Sequence, residues 1–382
     1  MYGCFKSAAG MIIAGAIAVA GSASGVGAAG ANEGPSPKTF HLPEVSFHYT
    51  DDTLPAIYRT ATVRRFDNTP ADNPITDAGA TLGRVLFYDT RLSASDTVSC
   101  SSCHQQQHAF SDTKRFSIGH RGGATSRNAM PLVEVRYYAR GRFFWDERAA
   151  TLEEQVLIPV QNKVEMGQEL NTVVGVLRKD SAYPALFEKA FGDRRITAER
   201  TSKALSQFVR SLVSYRSKYD EGLALAGFPQ ADFPNFTTQE NRGKAIFLRR
   251  CGICHLPPSA GVVLSMQDAR NNGLDADDGV TDLGVADVTG RRRHMGLFKS
   301  PSLRNVEYTA PYMHDGRFAT LKQVVEHYSN GVKAAPNLDP RLRGPGPMRL
   351  APAQQAALVA FLKTLSDQAF ITDPKFSDPF VR

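Results

Sequence analysis

Cysteine is scarce in this chain, with five in 382 residues, which excludes a small disulfide-built scaffold. Tryptophan occurs once, at Trp145. Neither charge sign dominates: 45 Lys and Arg face 38 Asp and Glu, a formal +7. No apolar run reaches the roughly 20 residues that a membrane-spanning helix needs. Alternating strand patterns are rare. The remaining composition, 42% hydrophobic and 22% charged, is that of a globular protein and excludes collagen, a coiled-coil rod and a mainly disordered chain. The length suits two to three domains with ample core.

The N-terminus carries an export pattern. Lys6 supplies a positive start, Met11 to Ala20 form a short apolar core, and Ala29-Gly30-Ala31 fits a small-x-small cleavage site. Cleavage is expected after Ala31, which removes Cys4 and leaves 44 basic against 38 acidic residues, a net of +6. An uncleaved anchor is the alternative, but the apolar run is short for one. The expected location is the periplasm, without stable membrane insertion.

The four remaining cysteines form two pairs, each followed at once by histidine: Cys100-Ser101-Ser102-Cys103-His104 and Cys251-Gly252-Ile253-Cys254-His255. Cys-x-x-Cys-His is the attachment signature of c-type haem, in which two thiols add to the haem vinyl groups and the histidine reaches the iron. A thioredoxin-like redox pair needs neither the histidine nor a second copy. A four-cysteine zinc site usually has pairs much closer together than these. Two covalent haems are therefore expected. Their four propionates offset most of the positive balance, so the charge implies neither nucleic acid nor a membrane surface as a partner.

The chain also repeats itself. Gly83-Arg84-Val85-Leu86-Phe87 precedes the first motif, as Gly243-Lys244-Ala245-Ile246-Phe247 precedes the second. Asp146-Glu147-Arg148-Ala149-Ala150-Thr151-Leu152 parallels Asp315-Gly316-Arg317-Phe318-Ala319-Thr320-Leu321. The second unit is longer between these landmarks, and the acidic, Gly-rich stretch 271–290 reads as an inserted loop. Helical periodicity recurs over 152–160, 198–215, 321–328 and 352–365. The expected fold is mainly α, with two tandem cytochrome c-like haem domains at 81–227 and 235–370. Signal peptide 1–31 and an extension, 32–80, precede them. A Pro-rich linker over 228–234 separates them, and 371–382 reads as an irregular surface tail.

Near the first motif lie Trp145, Gln155 and Glu165. A lone tryptophan is most often core, and Gln or Glu on a helix is most often solvated. Order and context say more. The stretch Arg127-Asn128, Phe143-Phe144-Trp145-Asp146-x-Arg148-Ala149-x-Thr151-Leu152-Glu153-Glu154-Gln155 and Glu165-Met166 resembles the peroxidatic pocket of the bacterial dihaem cytochrome c peroxidases. The later run Phe298-Lys299-Ser300-Pro301-Ser302-Leu303-Arg304-Asn305-Val306, with Thr309-Ala310-Pro311-Tyr312-Met313-His314-Asp315-Gly316 after it, resembles the second half of the same family. The resemblance includes the MauG-like branch and runs from about Gly83 to Leu365. Glu147 departs from it, since the family usually has glycine there.

That resemblance implies an open haem face at His104 where hydrogen peroxide binds. Glu165 would move a proton from the near to the far peroxide oxygen. Gln155 would orient the peroxide, and Trp145 would relay electrons between the haems. Asn128 and the carbonyls of Thr309 and Pro311 match the family's calcium site; oxygen donors suit that cation. His120 resembles the histidine that caps the peroxidatic haem in resting classical members. The second haem, on His255, would pass electrons. The family's usual methionine ligand falls fourteen residues after His314, where this chain has Tyr328. A tyrosine there resembles the MauG-like branch and would lower the potential relative to a thioether. By spacing alone Met295 and Met313 also qualify, and a histidine stays open. The MauG-like branch uses a tryptophan two residues before the second motif, where this chain has Arg249.

Three functions stand at this point. One is a peroxidase fed by a small cytochrome c or cupredoxin. Another is an oxidase that modifies side chains of a partner protein, and the third is a non-catalytic electron carrier.

Overall fold

Two helix pairs, one in each half, set the architecture. A computed structural model describes residues 39–255, 268–276, 279, 281–343 and 348–380; the expected signal peptide lies outside them. In the first half, helix Asp77–Tyr88 packs along helix Ala198–Arg210; in the second, Thr238–Arg250 packs along Pro352–Lys363. Each begins on a sequence signal. Thr76 and Thr197 accept hydrogen bonds from backbone N–H groups in the first turn. Thr237 and Glu240 form a reciprocal capping box, and Pro352 occupies the first turn of the last helix.

Both pairs close on a glycine. A Cβ at Gly83 would lie 2.0 Å from the carbonyl oxygen of Ala204; one at Gly243 would lie 1.9 Å from that of Ala357. One turn later in each helix the same rings meet. Phe87 and Phe208 stand 5.2 Å apart between centroids, and Phe247 and Phe361 stand 4.8 Å apart. Burying a phenylalanine contributes about 1.5–3 kcal/mol, and here that burial requires backbones too close for any side chain at the crossing.

The repeat extends to loops. Glu134 and Asn305 both adopt left-handed backbone, with φ of 63° and 61°. Their N–H groups donate to Leu212 and Leu365, each over 3.0 Å. Their side-chain oxygens accept from Ser214 N–H (2.8 Å) and Asp367 N–H (2.7 Å). Buried Arg304, in the second half, joins the two units. It grips Asp220 through two 2.8 Å hydrogen bonds and places Nε 3.8 Å from the Glu134 carboxylate. Among the described residues no sheet forms, only isolated bridges.

The structure corrects the surface-tail expectation. Helix Gln368–Thr372 and the turn Pro374–Phe376 return to the first half, where Phe376 is 2% exposed and packs with Phe110, Phe208 and Phe370. Arg84 and Tyr88 bind the carbonyls of Pro374 and Phe376. The tail lacks periodicity because few residues anchor it, yet those residues are core. The 271–290 stretch is not purely loop either: it holds helix Val285–Thr289. Between the halves, Phe233 is buried and its N–H donates to Asn241.

Gly83→Ala and Gly243→Ala should each destabilise the fold by about 1–3 kcal/mol, because overpacking outweighs the gain in helix propensity. Gly175→Ala, in helix Leu170–Lys179 with nothing within 4 Å, should be neutral or stabilising. Denaturant unfolding of the three variants measures the contrast.

Candidate active site

The first motif is a single helical turn, Cys100–Cys103, closed at its start by a Ser99/Ser102 capping box. His104 leaves that turn. Ala109 and Phe110, with φ of 51° and 59°, bend the chain back so that the Phe110 carbonyl lies 3.0 Å from His104 Nδ1. A carbonyl only accepts, so Nδ1 carries the proton and Nε2 is the nitrogen free to bind a metal. Burial lowers the imidazole pKa and keeps it neutral, the metal-binding form.

The motif opens on a cavity of about 710 Å³, mouth included, shared by Cys100, Cys103, His104, Gln155 and Glu165. Phe87, Leu132, Leu205 and Val209 give it an apolar wall. The structure thus brings together three residues expected to act on one substrate. Glu165 is placed by Asn162, which sequence reasoning missed. Asn162 Nδ2 donates to Glu165 Oε1 over 2.9 Å, and its Oδ1 accepts from Val164 N–H. The spacing of an Asx turn three residues before the acid was the available signal. Burial raises the Glu165 pKa above the usual carboxylate range; Arg148 opposes that shift.

His120 does not line this cavity. Its N–H donates to the Glu165 carbonyl, and its Nε2 lies 3.2 Å from the Lys163 carbonyl. It packs against Gly167, where a Cβ would come within 2.4 Å of the ring.

The second motif forms the turn Gly252–His255 and faces a separate, larger cavity of about 1620 Å³. The two cysteine pairs therefore belong to different sites, which removes the four-cysteine zinc arrangement. Burial pushes the thiols of Cys100 and Cys251 up to about 12 and that of Cys103 up to about 11, so all three are protonated at neutral pH. His255 is pulled down to about 4, first by burial and then by Arg341. Its Nδ1 is buried and has no partner among the described residues.

Tyr328, Met313 and Met348 line this second cavity with His255; Met295 does not. Tyr328 lies in a π-turn, His327–Gly331, a distortion frequent at functional sites. Asn272, also missed from sequence, places Nδ2 3.4 Å from both Met313 Sδ and the Tyr328 hydroxyl. Nothing local in the sequence marks it. Trp145, Asn128, Thr309 and Pro311 share the same wall.

Trp145 and His314 occupy equivalent places in the repeat. Each sits in a loop closed by one bridge, Phe143↔Ala149 and Tyr312↔Phe318. The rings meet edge to face at 6.5 Å. Their backbones are clamped reciprocally: Asn128 N–H donates to the His314 carbonyl, and Lys299 N–H to the Trp145 carbonyl, both at 2.8 Å. The indole N–H donates to the Asn128 carbonyl, also at 2.8 Å. At the far end of the Trp145 loop, Arg148 stacks on Phe144 at 3.5 Å and acts on Glu165. One loop therefore lines the second cavity with Trp145 and acts on the acid of the first through the charge of Arg148.

Two neutral, half-buried imidazoles, each beside a protonated thiol pair on an apolar wall, fit two covalently attached haems. Comparison with known proteins agrees. A family model described as di-haem cytochrome c peroxidase matches residues 77–226, and one described as cytochrome c matches 240–366. The methylamine utilization protein MauG of Methylophilus methylotrophus is 31% identical over 312 residues, 80% of this chain and 88% of that protein. Cytochrome c551 peroxidase of Nitrosomonas europaea is 34% identical over 255 residues, 65% of this chain and 71% of that one. A solved MauG-like protein associated with microbial copper homeostasis superposes with a TM-score of 0.70 at 35% identity, covering 82% of this chain and 96% of its own. With its duplicated haem-attachment turns and mainly helical fold, the chain belongs to the di-haem cytochrome c peroxidase family.

Proposed function

We propose that the protein is an exported peroxidase that reduces hydrogen peroxide at the His104 site. Its electrons pass through the His255 site from a small cytochrome c or cupredoxin. The observation that carries this reading is the single cavity shared by His104, Gln155 and Glu165. Haem held at Cys100, Cys103 and His104 and at Cys251, Cys254 and His255 would supply the redox chemistry, with peroxide binding at the iron of the first. The protein's own residues then do the rest. Glu165 Oε1 is held by Asn162, so Oε2 is the atom free to take the proton from one peroxide oxygen and return it to the other. The Gln155 amide orients the peroxide. The apolar wall excludes bulk water and strengthens both interactions.

The N-terminal pattern supports a periplasmic location. Among the described residues no helix is long and apolar enough to cross a membrane. Donor docking at the second site is supported by Ile253, 62% exposed between the two cysteines, with exposed Arg249 and Arg250 beside it. Calcium binding is supported by Asn128. Its amide nitrogen is committed to the carbonyls of Lys114 and Arg115 at 3.2 Å each, so its amide oxygen remains for a cation beside Thr309 and Pro311. A second reading, peroxide-driven oxidation of side chains on a partner protein, is favoured by Tyr328 on the second cavity wall.

Peroxide turnover by the holoprotein with reduced cytochrome c tests the main reading. Fast, catalytic oxidation of the cytochrome is expected; single turnover with a persistent oxidised species would favour the second. Glu165→Gln should slow the peroxide reaction about 10²–10⁴-fold. In the unaltered protein that reaction should decline as pH falls through the raised Glu165 pKa, since the acceptor must start unprotonated. The variant should lose this acidic limb. Tyr328→Phe should alter the low-spin absorption of the second haem while Met313→Leu leaves it unchanged; the reverse pattern would make Met313 the ligand. Chelation by EGTA should lower both activity and thermal stability, with calcium restoring them, and Asn128→Ala should weaken that recovery.

A further inference from the structure

Behind Trp145 lies a buried polar cluster that the peroxidase reading does not use. Tyr138 is 0% exposed, Glu147 2% and Lys299 3%. The Tyr138 hydroxyl donates to Glu147 Oε1. Arg140 Nε lies 3.1 Å from Glu147 Oε2. Lys299 links this group to the backbone of Trp145: its main-chain N–H donates to the Trp145 carbonyl, and its Nζ stands 4.3 Å over the Tyr138 ring.

Glu147 occupies this place at a conformational cost. Its φ is 58°, in the left-handed region, and the equivalent position in the second half is Gly316, with φ of 63°. Backbone strain and burial of a carboxylate are costs that its contacts must offset. It touches the tyrosine hydroxyl. A phenol gives up an electron readily only when its proton has a base to go to, because a buried phenol cation would be strongly desolvated. Tyr138 has such a base in direct hydrogen bond, two residues along the chain from Trp145.

We propose that Tyr138 is a redox-active tyrosine, oxidised by one electron through Trp145 while its phenolic proton moves to Glu147. Peroxide is the oxidant: one H2O2, two electrons and two protons give two H2O. Tyr138 supplies one electron. The other comes from the haem, or from the donor protein when it is present. The Tyr138 O–H bond breaks, an O–H bond forms on Glu147 Oε1, and a neutral phenoxyl remains. The two protons consumed in water formation enter from solvent by way of Glu165. Charged Lys299 above the ring resists loss of the electron, and the Glu147 carboxylate offsets it. The pair would store an oxidising equivalent when donor is absent. This inference rests on the peroxidase reading.

The test is rapid-freeze electron paramagnetic resonance of ferric holoprotein mixed with H2O2 and no donor. Protein carrying ordinary tyrosine is compared with protein carrying ring-deuterated tyrosine. The expected result is an organic-radical signal whose hyperfine structure narrows on deuteration. It should disappear in Tyr138→Phe, form more slowly in Glu147→Gln and persist in Tyr308→Phe. The last variant, at a tyrosine that lines neither cavity, shows that the loss is specific to Tyr138. If Tyr138→Phe fails to fold, deuteration in the unaltered sequence and the near-isosteric Glu147→Gln still decide. Peroxide consumption with no tyrosine-derived signal, or with a signal unchanged by both the Tyr138 and Glu147 substitutions, overturns the proposal and leaves the peroxidase reading standing. Failure of the holoprotein to consume peroxide overturns both.

Discussion

The two 2.8 Å hydrogen bonds that exchange Asn128 with His314 and Lys299 with Trp145 hold the molecule's working parts in register. Each half lends one N–H to the other's loop. Backbone hydrogen bonds are directional and costly to leave unmade when buried, so this exchange fixes the depth at which the indole and imidazole face each other. It also decides which residues look into the second cavity, because Asn128, Lys299, Trp145 and His314 all line it. The two repeated units are thereby joined as mutually completing parts. The duplicated glycine crossings give each half its own core, and the exchange makes the halves interdependent.

Duplication has been followed by chemical divergence. At one position of the repeat the chain has an indole whose N–H is bound to a carbonyl. At the other it has an imidazole stacked on Phe298 at 3.7 Å and 9°. Next to the indole stands Glu147; next to the imidazole stands Gly316, at nearly the same backbone conformation. A similar split separates the cavities. The first is small, and its half-buried carboxyl suits proton movement. The second is larger and lined by sulfur, phenol and amide groups. Arg127 reinforces the seam with a 2.5 Å ion pair to Asp146 and a 2.7 Å pair to Asp282, one carboxylate from each half.

Much of this was legible in the sequence because its signals are local. Attachment of a haem needs two thiols and a histidine within five positions, and a helix start needs its cap within one turn. The duplication showed itself as repeated glycines and repeated Asp-x-Arg loops. Convergence of His104, Gln155 and Glu165 was legible only through resemblance, since the acid lies 61 positions after the histidine. What stayed hidden depends on contacts across the halves. Asn272 and Tyr138 carry no pattern that distinguishes them from ordinary polar residues or core. The burial of Phe376 was hidden because three anchoring side chains in a short irregular segment generate no period. His120 shows the converse: a plausible type in a plausible place, yet its ring turns towards the Lys163 carbonyl.

The segment that follows the second haem-attachment half completes the core of the first. Phe370, Ile371 and Phe376 belong to the same cluster as Leu82, Phe87 and Phe208, although they lie far from them in sequence. Helix Pro352–Lys363 closes the core of the second half, whereas the first half needs this returning segment to cover its flank. The two halves are therefore not separable at the stretch between them: a first half cut free there would expose the apolar surface that Phe370 and Phe376 cover.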